Sequence, residues 1–330
     1  MRQTTGGDCA SCHGHPPADD AARGAPVGLM ATLLSRLRPF HDAIAGGGKS
    51  GVRRPRPLLM GVINVTPDSF SDGGQTVTAE AVADQIREMC RAGADVIDIG
   101  AESTRPGAQR VPASEQLRRL EAVMEVLRRS GPPGVPLTVD TTRAEVAEAA
   151  LDAGFSGVND VSGGRDDPRV MEVVAEKKAV YVLMHMRGEP ATMQTDPRYG
   201  AEGVVSAVAR FLVERRKAAE AAGIPREHLL GDVGIGFGKT DAHNLQLLKH
   251  LQEIERACGL PQLVGTSRKG FLGRLTGRAE PSERVWATAA TVAWAALCGA
   301  AVVRVHDVAA MRDVLVTWEA IDLADEREAP

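Results

Sequence analysis

No run of apolar residues in this 330-residue chain approaches the ~18 needed to cross a bilayer, so the sequence gives no reason to expect a membrane protein. Nor does one sign of charge dominate. The 39 Lys and Arg residues against 43 Asp and Glu leave a formal charge of −4, which offers no electrostatic case for nucleic acid or an anionic surface as partner. Cysteine is scarce. The five residues (Cys9, Cys12, Cys90, Cys258 and Cys298) are odd in number and show no framework spacing beyond the first pair, which fits a reduced, cytoplasmic setting better than a disulfide scaffold. What the chain has in quantity is core material: 43% hydrophobic residues suffice for one large core, and a barrel of about 250 residues would occupy most of the length.

Residues 1–56 differ in texture and are expected to be a short, disordered extension and linker, with residues 57–330 as the folded domain. A polar start leads through a short amphipathic piece, Val27 to Phe40, into GGGKSGVRRPRP, rich in glycine, proline and arginine. Cys9-Ala-Ser-Cys12-His13, with His15 beyond, matches a haem-attachment pattern and half of a zinc site. Haem attachment normally requires export, and no basic start with a clean apolar segment after it is present. A closed zinc site from four ligands this close would be unusually tight, so an unstructured tail is the simpler expectation. AIAGGGKS, Ala43 to Ser50, resembles a relaxed phosphate loop, but no strand precedes it and Pro55 follows where a helix should run.

The domain that follows is built on a repeated theme. Leu58 to Val65 is a continuous apolar run, as expected for a strand buried on both faces, and it empties into the polar, glycine-bearing segment NVTPDSFSDGG, Asn64 to Gly74. The pattern recurs. Val96 to Gly100 opens into ESTRPG, Leu137 to Val139 ends on Asp140-Thr141, and the next strand ends at Asn159-Asp160. Val180 to Met184 runs into His185-Met186, Leu229-Leu230 into Asp232 and GIGFGK, Leu263 to Gly265 into TSRK, and Val302-Val303 into Arg304, Val305 and His306. Eight apolar segments ending in polar residues at the same end predict an α/β fold, a (β/α)8 TIM barrel with its site at the carboxyl face; an open doubly wound sheet is the structural rival. The segments between them (residues 79–92, 114–130, 143–153, 169–177, 203–222, 244–257, 282–298 and 307–324) are long enough for helices, most with apolar residues three and four apart. Trp286 and Trp294 fall on roughly one helical face, which suits packing against a neighbouring helix or a partner subunit.

Asp140, Asn159, Asp232 and Lys269 all stand at strand ends facing one cavity. A buried carboxylate accepts two parallel hydrogen bonds from an N–C–N edge such as that of a 2-amino-4-oxo pterin, and an asparagine donates and accepts on adjacent ring atoms. Each aspartate taken singly would more simply be a helix cap or a structural ion pair; together they suit a flat polar heterocycle. Arg304 and His306, two apart on an extended segment, share a face and can hold an anion, with Asn64 nearby to meet a metal-bound phosphate oxygen.

NVTPDSFSDGG, ESTRPG, VDTT, NDVSGG, LMHM, GFGK, SRK and RVHD follow the order and spacing seen in dihydropteroate synthase, and residues 58–324 resemble that family as a whole. The resemblance implies a barrel that joins 6-hydroxymethyl-7,8-dihydropterin diphosphate to 4-aminobenzoate and releases diphosphate, with Mg2+ as cofactor, a homodimer as assembly and sulfonamides as inhibitors. By motif, Asp140, Asn159, Met184, Asp232 and Lys269 resemble the pterin-binding residues. Asn64, Arg304 and His306 resemble those that hold the diphosphate and its metal, with Asn64 the metal's contact. Phe70 and Asp72 in the first loop and Thr104, Arg105 and Pro106 in the second resemble mobile lids over the aminobenzoate, while Phe237, Ser267 and Lys269 resemble the fixed side of that pocket. The expected catalytic group is Asn64, Asp140, Lys269, Arg304 and His306, acting through positioning and charge with no protein nucleophile.

Two features depart from the family pattern. Gly231 and Val233 flank Asp232 where a bulky apolar residue and proline are usual, and the amino-terminal extension is too short for the pyrophosphokinase domain sometimes fused to this enzyme. A methyltetrahydrofolate methyltransferase shares the pterin-binding barrel but needs neither a diphosphate site nor an arylamine lysine, so Arg304, His306 and SRK argue against it. A non-catalytic pterin-binding paralogue would be expected to lose its loop chemistry first, and both loops look complete.

Overall fold

A computed structural model describes residues 27–46, 55–65, 78–103, 107–131, 133–189 and 192–324. After a first helix α1 (Val27–Ala45), eight strands alternate with helices: β1 (Leu58–Asn64), α2 (Ala79–Ala92), β2 (Val96–Gly100), α3 (Ala113–Ser130), β3 (Leu137–Asp140), α4 (Ala144–Asp152), β4 (Gly157–Asp160), α5 (Arg169–Lys177), β5 (Val180–Met184), α6 (Gly203–Ala221), β6 (Leu229–Asp232), α7 (Asp241–Lys249), α8 (Leu251–Cys258), β7 (Gln262–Val264), α9 (Gly270–Thr276), α10 (Val285–Leu297), β8 (Val302–Val305) and α11 (Val308–Asp322). Every neighbouring pair is parallel and β1 pairs with β8, so the sheet closes in the order β1 to β8. The barrel prevails over the open sheet. Its strands are buried on both faces because side chains fill the interior on one side and helices cover the other.

Two connections differ in detail from the sequence expectation. The helix foreseen over 244–257 is two helices, α7 and α8, broken at His250, and the break lets Leu247, Leu248, Leu251 and Ile254 all be buried. After β7 a short helix α9 precedes α10, with a 3₁₀ turn at Pro281–Arg284 between them.

The amino-terminal region holds the larger departure. Its amphipathic piece is a helix of 19 residues, α1, that closes the floor of the barrel. Leu33, Leu37 and Phe40 are buried in one cluster with Leu58, Met60, Val96, Val180, Val182, Leu230, Leu263 and Val302 from the strands. These come from the amino-terminal ends of the strands, where the interior would otherwise open to water. Asp95, just before β2, accepts from Arg36 of α1 at 2.7 Å, from Arg56 at 3.2 Å and from the Leu59 N–H at 2.8 Å, tying helix, linker end and sheet together. The division drawn at residue 56 therefore cuts through a packed interface. The Cys9, Cys12, His13 and His15 cluster and the glycine-rich linker lie outside the described residues.

Candidate active site at the carboxyl end of the barrel

The centre of the mouth is organised by a residue the sequence analysis did not single out. Asp98, in the middle of β2, is completely buried and accepts from Thr138 Oγ1 at 2.5 Å, Asn159 Nδ2 at 3.0 Å and Arg304 Nε at 2.7 Å. These bonds bring together β2, β3, β4 and β8. A carboxylate oxygen accepts, so the amide of Asn159 turns its nitrogen to Asp98 and its oxygen away from it. Asn159 Oδ1 is buried and meets no donor among the described residues. A buried acceptor without a partner costs free energy, and a ligand N–H placed there would recover it.

Arg304 also donates from Nη2 to Asp140 Oδ2 at 3.0 Å, so one guanidinium bridges the two carboxylates. Burial pushes the Asp140 carboxyl up to about 7; the Arg304 charge pulls it back and Asp98 pushes it further up. Asn64 ends β1 beside them: a methyl group built at Gly100 would lie 3.3 Å from Asp140 Cβ and 3.8 Å from Asn64 Oδ1, so the glycine keeps the space between those two side chains open. Asp232 is fixed from both sides. It stands opposite Met184 in the β5–β6 ladder, its carbonyl accepts from His185 N–H at 2.9 Å, and its Oδ1 accepts from Gly234 N–H at 2.7 Å. Burial raises this carboxyl too, against the pull of Lys269.

The unusual Gly231 does not loosen that aim. A Cβ there would lie 2.7 Å from Gln262 Nε2, so the buried Gln262 of β7 takes the room that a bulkier residue at position 231 would need. Val233 is fully buried after the strand.

Lys269 closes another side. Its ammonium donates to the Ile235 carbonyl and lies 4.5 Å from the centroid of Phe237, and burial lowers its pKa to about 8 despite the nearby Asp232. Phe237 packs on the buried cluster of Val161, Met184, Met186 and Met193, so the expected apolar wall Met184 and the expected arylamine neighbour Phe237 share one surface. Ser267 Oγ accepts from the His306 N–H at 3.1 Å and lies 3.1 Å from its Nδ1, joining the SRK and RVHD segments. Between them Arg268 adopts a left-handed backbone with φ of 59°, a conformation disfavoured for a residue with a Cβ, and is held there by a bidentate pair with Asp307.

Asn64, Asp140, Asn159, Met184, Asp232, Phe237, Ser267, Lys269, Arg304 and His306 thus all stand at one end of the barrel. Phe70, Asp72, Thr104, Arg105 and Pro106 lie outside the described residues. The stem of the second loop is described and tightly built. Glu102 accepts from Val111 N–H at 3.1 Å and Gln116 Nε2 at 2.9 Å, and Gln116 Oε1 accepts from Thr141 at 2.9 Å.

A closed parallel barrel whose carboxyl-end mouth combines buried carboxylates, a buried amide oxygen that meets no donor among the described residues and a methionine-lined wall fits a barrel enzyme for a flat polar ring. The pattern of the pterin-binding enzymes matches residues 60–306. The dihydropteroate synthase of Synechocystis sp. is 43% identical over 266 residues, 81% of this chain and 90% of that protein. Among solved structures, a dihydropteroate synthase from Xanthomonas albilineans with 4-aminobenzoic acid is 46% identical with a TM-score of 0.73, covering 81% of this chain and 93% of that one. One from Yersinia pestis in a sulfonamide drug complex is 40% identical with a TM-score of 0.74, covering 81% and 94%. The chain belongs to the pterin-binding enzymes, in the dihydropteroate synthase family.

Proposed function

We propose that this chain condenses 6-hydroxymethyl-7,8-dihydropterin diphosphate with 4-aminobenzoate to give 7,8-dihydropteroate, and that the mouth residues divide the work as follows. Asp140, Asp232 and the amide oxygen of Asn159 receive the N–H edge of the pterin, and Met184 covers one face of the ring. The observation that carries this assignment is the buried Asn159 Oδ1, without a donor among the described residues, at the same end of the barrel as the buried carboxylates Asp140 and Asp232. Lys269 holds the opposite edge, while Phe237 and Ser267 form the fixed side of the arylamine pocket. Phe70, Asp72, Thr104, Arg105 and Pro106 would complete it from the two loops.

At the leaving-group end, Arg304 is anchored by Asp98 and Asp140 so that its positive charge stays at the end of β8, near His306. Asn64 would hold Mg2+ there through its neutral side-chain oxygen, a hard ligand suited to that ion. The ion would supply additional charge neutralisation on the departing diphosphate. In the reaction the arylamine nitrogen bonds to the exocyclic methylene carbon, the carbon–oxygen bond to diphosphate breaks, and one proton is released. Arg304 and His306 stabilise the developing negative charge, the carboxylates favour the electron-poor ring, and positioning supplies the rest. Incubation with both substrates and magnesium should yield dihydropteroate and diphosphate in equal amounts; release of diphosphate without dihydropteroate would sink the assignment. Sulfonamides should compete with 4-aminobenzoate.

The assembly is a homodimer in this proposal, and the setting is the cytoplasm. Trp294 donates to the Leu248 carbonyl at 2.9 Å and so is used within the chain, whereas Trp286 is 82% exposed, with Leu297 on the same helix and Ile321 on α11 also exposed. Large apolar side chains grouped on neighbouring helices suit burial against a second copy. Among the described residues no helix is long and apolar enough to cross a membrane.

A further inference from the structure

Lys239 is buried to 2% exposure and has no carboxylate within ion-pair distance among the described residues. Its amine meets three uncharged acceptors, His185 Nδ1 at 3.0 Å, the Phe237 carbonyl at 3.0 Å and the His185 carbonyl at 3.3 Å, and burial holds its pKa well below the usual lysine range against the pull of Asp232. Burial holds the His185 imidazole well below its usual range, an effect to which the Lys239 charge adds, so the ring is neutral and offers Nδ1 as an acceptor. One side chain therefore ties the end of β5 to the turn that follows β6.

The turn is shaped for that contact. A Cβ at Gly234 would lie 1.9 Å from the His185 carbonyl oxygen, and one at Gly238 2.3 Å from the Arg187 carbonyl oxygen, so only glycine permits the turn to lie directly on this backbone. Tyr199 adds a third tie, its hydroxyl donating to the Gly238 carbonyl at 2.8 Å. The residue displayed by the clamped turn is Phe237, whose carbonyl Lys239 holds and whose ring lies beneath Lys269.

We propose that Lys239 and His185 form a latch that presses the Gly234–Lys239 turn onto the end of β5 and sets the Phe237 ring against Lys269, which makes Lys239 a positioning residue for the arylamine site. The inference rests on the assignment of Phe237 to that site. Asp232 accepts from Gly234 N–H at the start of the turn but is held as well by the β5–β6 ladder, so the latch bears more on the arylamine side, where Phe237 is displayed, than on the pterin. A buried lysine amine without an ion pair is a costly way to hold a turn, and its directional bonds fix the turn's orientation in a way that an apolar contact would not.

The test compares Lys239→Met, which keeps length and removes the donors, with Lys239→Gln, a shorter neutral donor, and His185→Leu with His185→Asn, whose amide oxygen restores an acceptor near the Nδ1 position. Lys239→Met and His185→Leu should raise KM for 4-aminobenzoate about tenfold with kcat little changed, and Lys239→Gln and His185→Asn should lie closer to wild type. Affinity for a pterin lacking diphosphate, measured by calorimetry, should stay within about twofold of wild type in all four. Amide hydrogen exchange reads the latch without turnover: residues 234–239 should exchange faster in Lys239→Met and His185→Leu while those of β6 do not. Unchanged exchange in the turn would overturn the latch. Faster exchange with an unchanged KM would overturn the positioning role, as would equal loss of pterin affinity or a His185→Asn enzyme as impaired as His185→Leu. A wild-type protein that makes no dihydropteroate would instead defeat the functional assignment, and the exchange experiment separates that outcome from failure of the latch.

Discussion

The two ends of the barrel are closed by opposite means. At the floor, apolar residues from the strands meet Leu33, Leu37 and Phe40 of α1, and an ionic cluster, Asp95 with Arg36 and Arg56, ties the helix to the linker end. At the mouth, Asp98, Asp140, Asp232 and Arg304 are brought into the interior, where desolvation works against every charge. The floor gains stability from area removed from water, at about 25 cal/mol per Å2. The mouth gives some of it up, because a site that must receive a ring's hydrogen-bonding edge keeps acceptors such as Asn159 Oδ1, which has no partner among the described residues. Stability and function are thereby separated along the barrel axis, and changes at the two ends should have different signatures.

The largest effect is expected at Arg304. Arg304→Met removes the charge that anchors Asp98 and Asp140 and supports the leaving group, and turnover should fall about 10²- to 10³-fold, the scale of losing one electrostatic contact to the reacting charge. Folding stability should fall as well, because Asp98 and Asp140 are left buried without the cation they share, so the signature of the mouth is the loss of turnover in protein that is still folded. Unchanged turnover in folded Arg304→Met would erase the distinction between the two ends.

Next in size is the floor. Phe40→Ala should cost about 3 kcal/mol of folding stability, the usual range for emptying a buried aromatic site, with KM for both substrates unchanged in the folded fraction. Deleting residues 1–46 should destabilise the barrel further, whereas deleting residues 1–26 should leave both stability and turnover nearly as they were. Chemical denaturation of the three variants beside steady-state kinetics checks this. A large rise in KM for Phe40→Ala in protein that is still folded would show that the floor communicates with the mouth.

These expectations differ from what the sequence alone suggested, and the reasons are physical. The strand ends were legible because eight apolar runs each break into polar residues at the same end, a local signal. The amphipathic pattern of Val27 to Phe40 was also visible, but its receiving surface is assembled from the starts of six different strands and appears only when the barrel closes. Asp98 was missed for a similar reason. It interrupts the apolar run VIDIG, a position where a carboxylate must find partners, yet its partner Arg304 lies 206 residues away. An acid inside a continuous apolar strand was the available signal. Lys239 was seen only as part of GFGK, since its acceptors belong to another strand end and to carbonyls that carry no sequence mark.

The pH dependence of pterin binding should come next in magnitude. With Asp140 at about 7, the carboxylate is mostly protonated at pH 6 and mostly ionised at pH 8. The ionised form accepts both N–H groups of the ring, whereas the protonated form offers a donor toward one of them. Affinity for a pterin lacking diphosphate should therefore rise roughly tenfold between those values, following the ionised fraction. Asp140→Asn should bind more weakly and show no inflection near neutrality, while Phe40→Ala should retain it. An inflection that persists in Asp140→Asn would assign the titration to another group, with Asp232, also raised by burial, the first to examine.

The smallest effect is expected in the wall between the two ends, where Gly231 and Gln262 share one space. Gln262 Nε2 donates to the Leu260 carbonyl at 2.7 Å and to Cys258 Sγ at 3.3 Å, so it cannot withdraw from an added Cβ at position 231 without losing bonds in a buried environment. Gly231→Ala alone should cost about 1 kcal/mol, close to the worth of one such bond. In the Gln262→Ala background the same substitution should cost nothing or stabilise, because the space is empty and the alanine restricts the unfolded chain. The two changes should therefore be non-additive by about 1 kcal/mol in a double-mutant cycle, as expected for side chains in direct contact. Neither change should alter the kinetics, since Asp232 is aimed by the ladder and by Gly234 N–H rather than by its neighbour. Additive stabilities would mean that Gln262 does not occupy this space. Altered kinetics would mean that the departure at Gly231 reaches the active site after all.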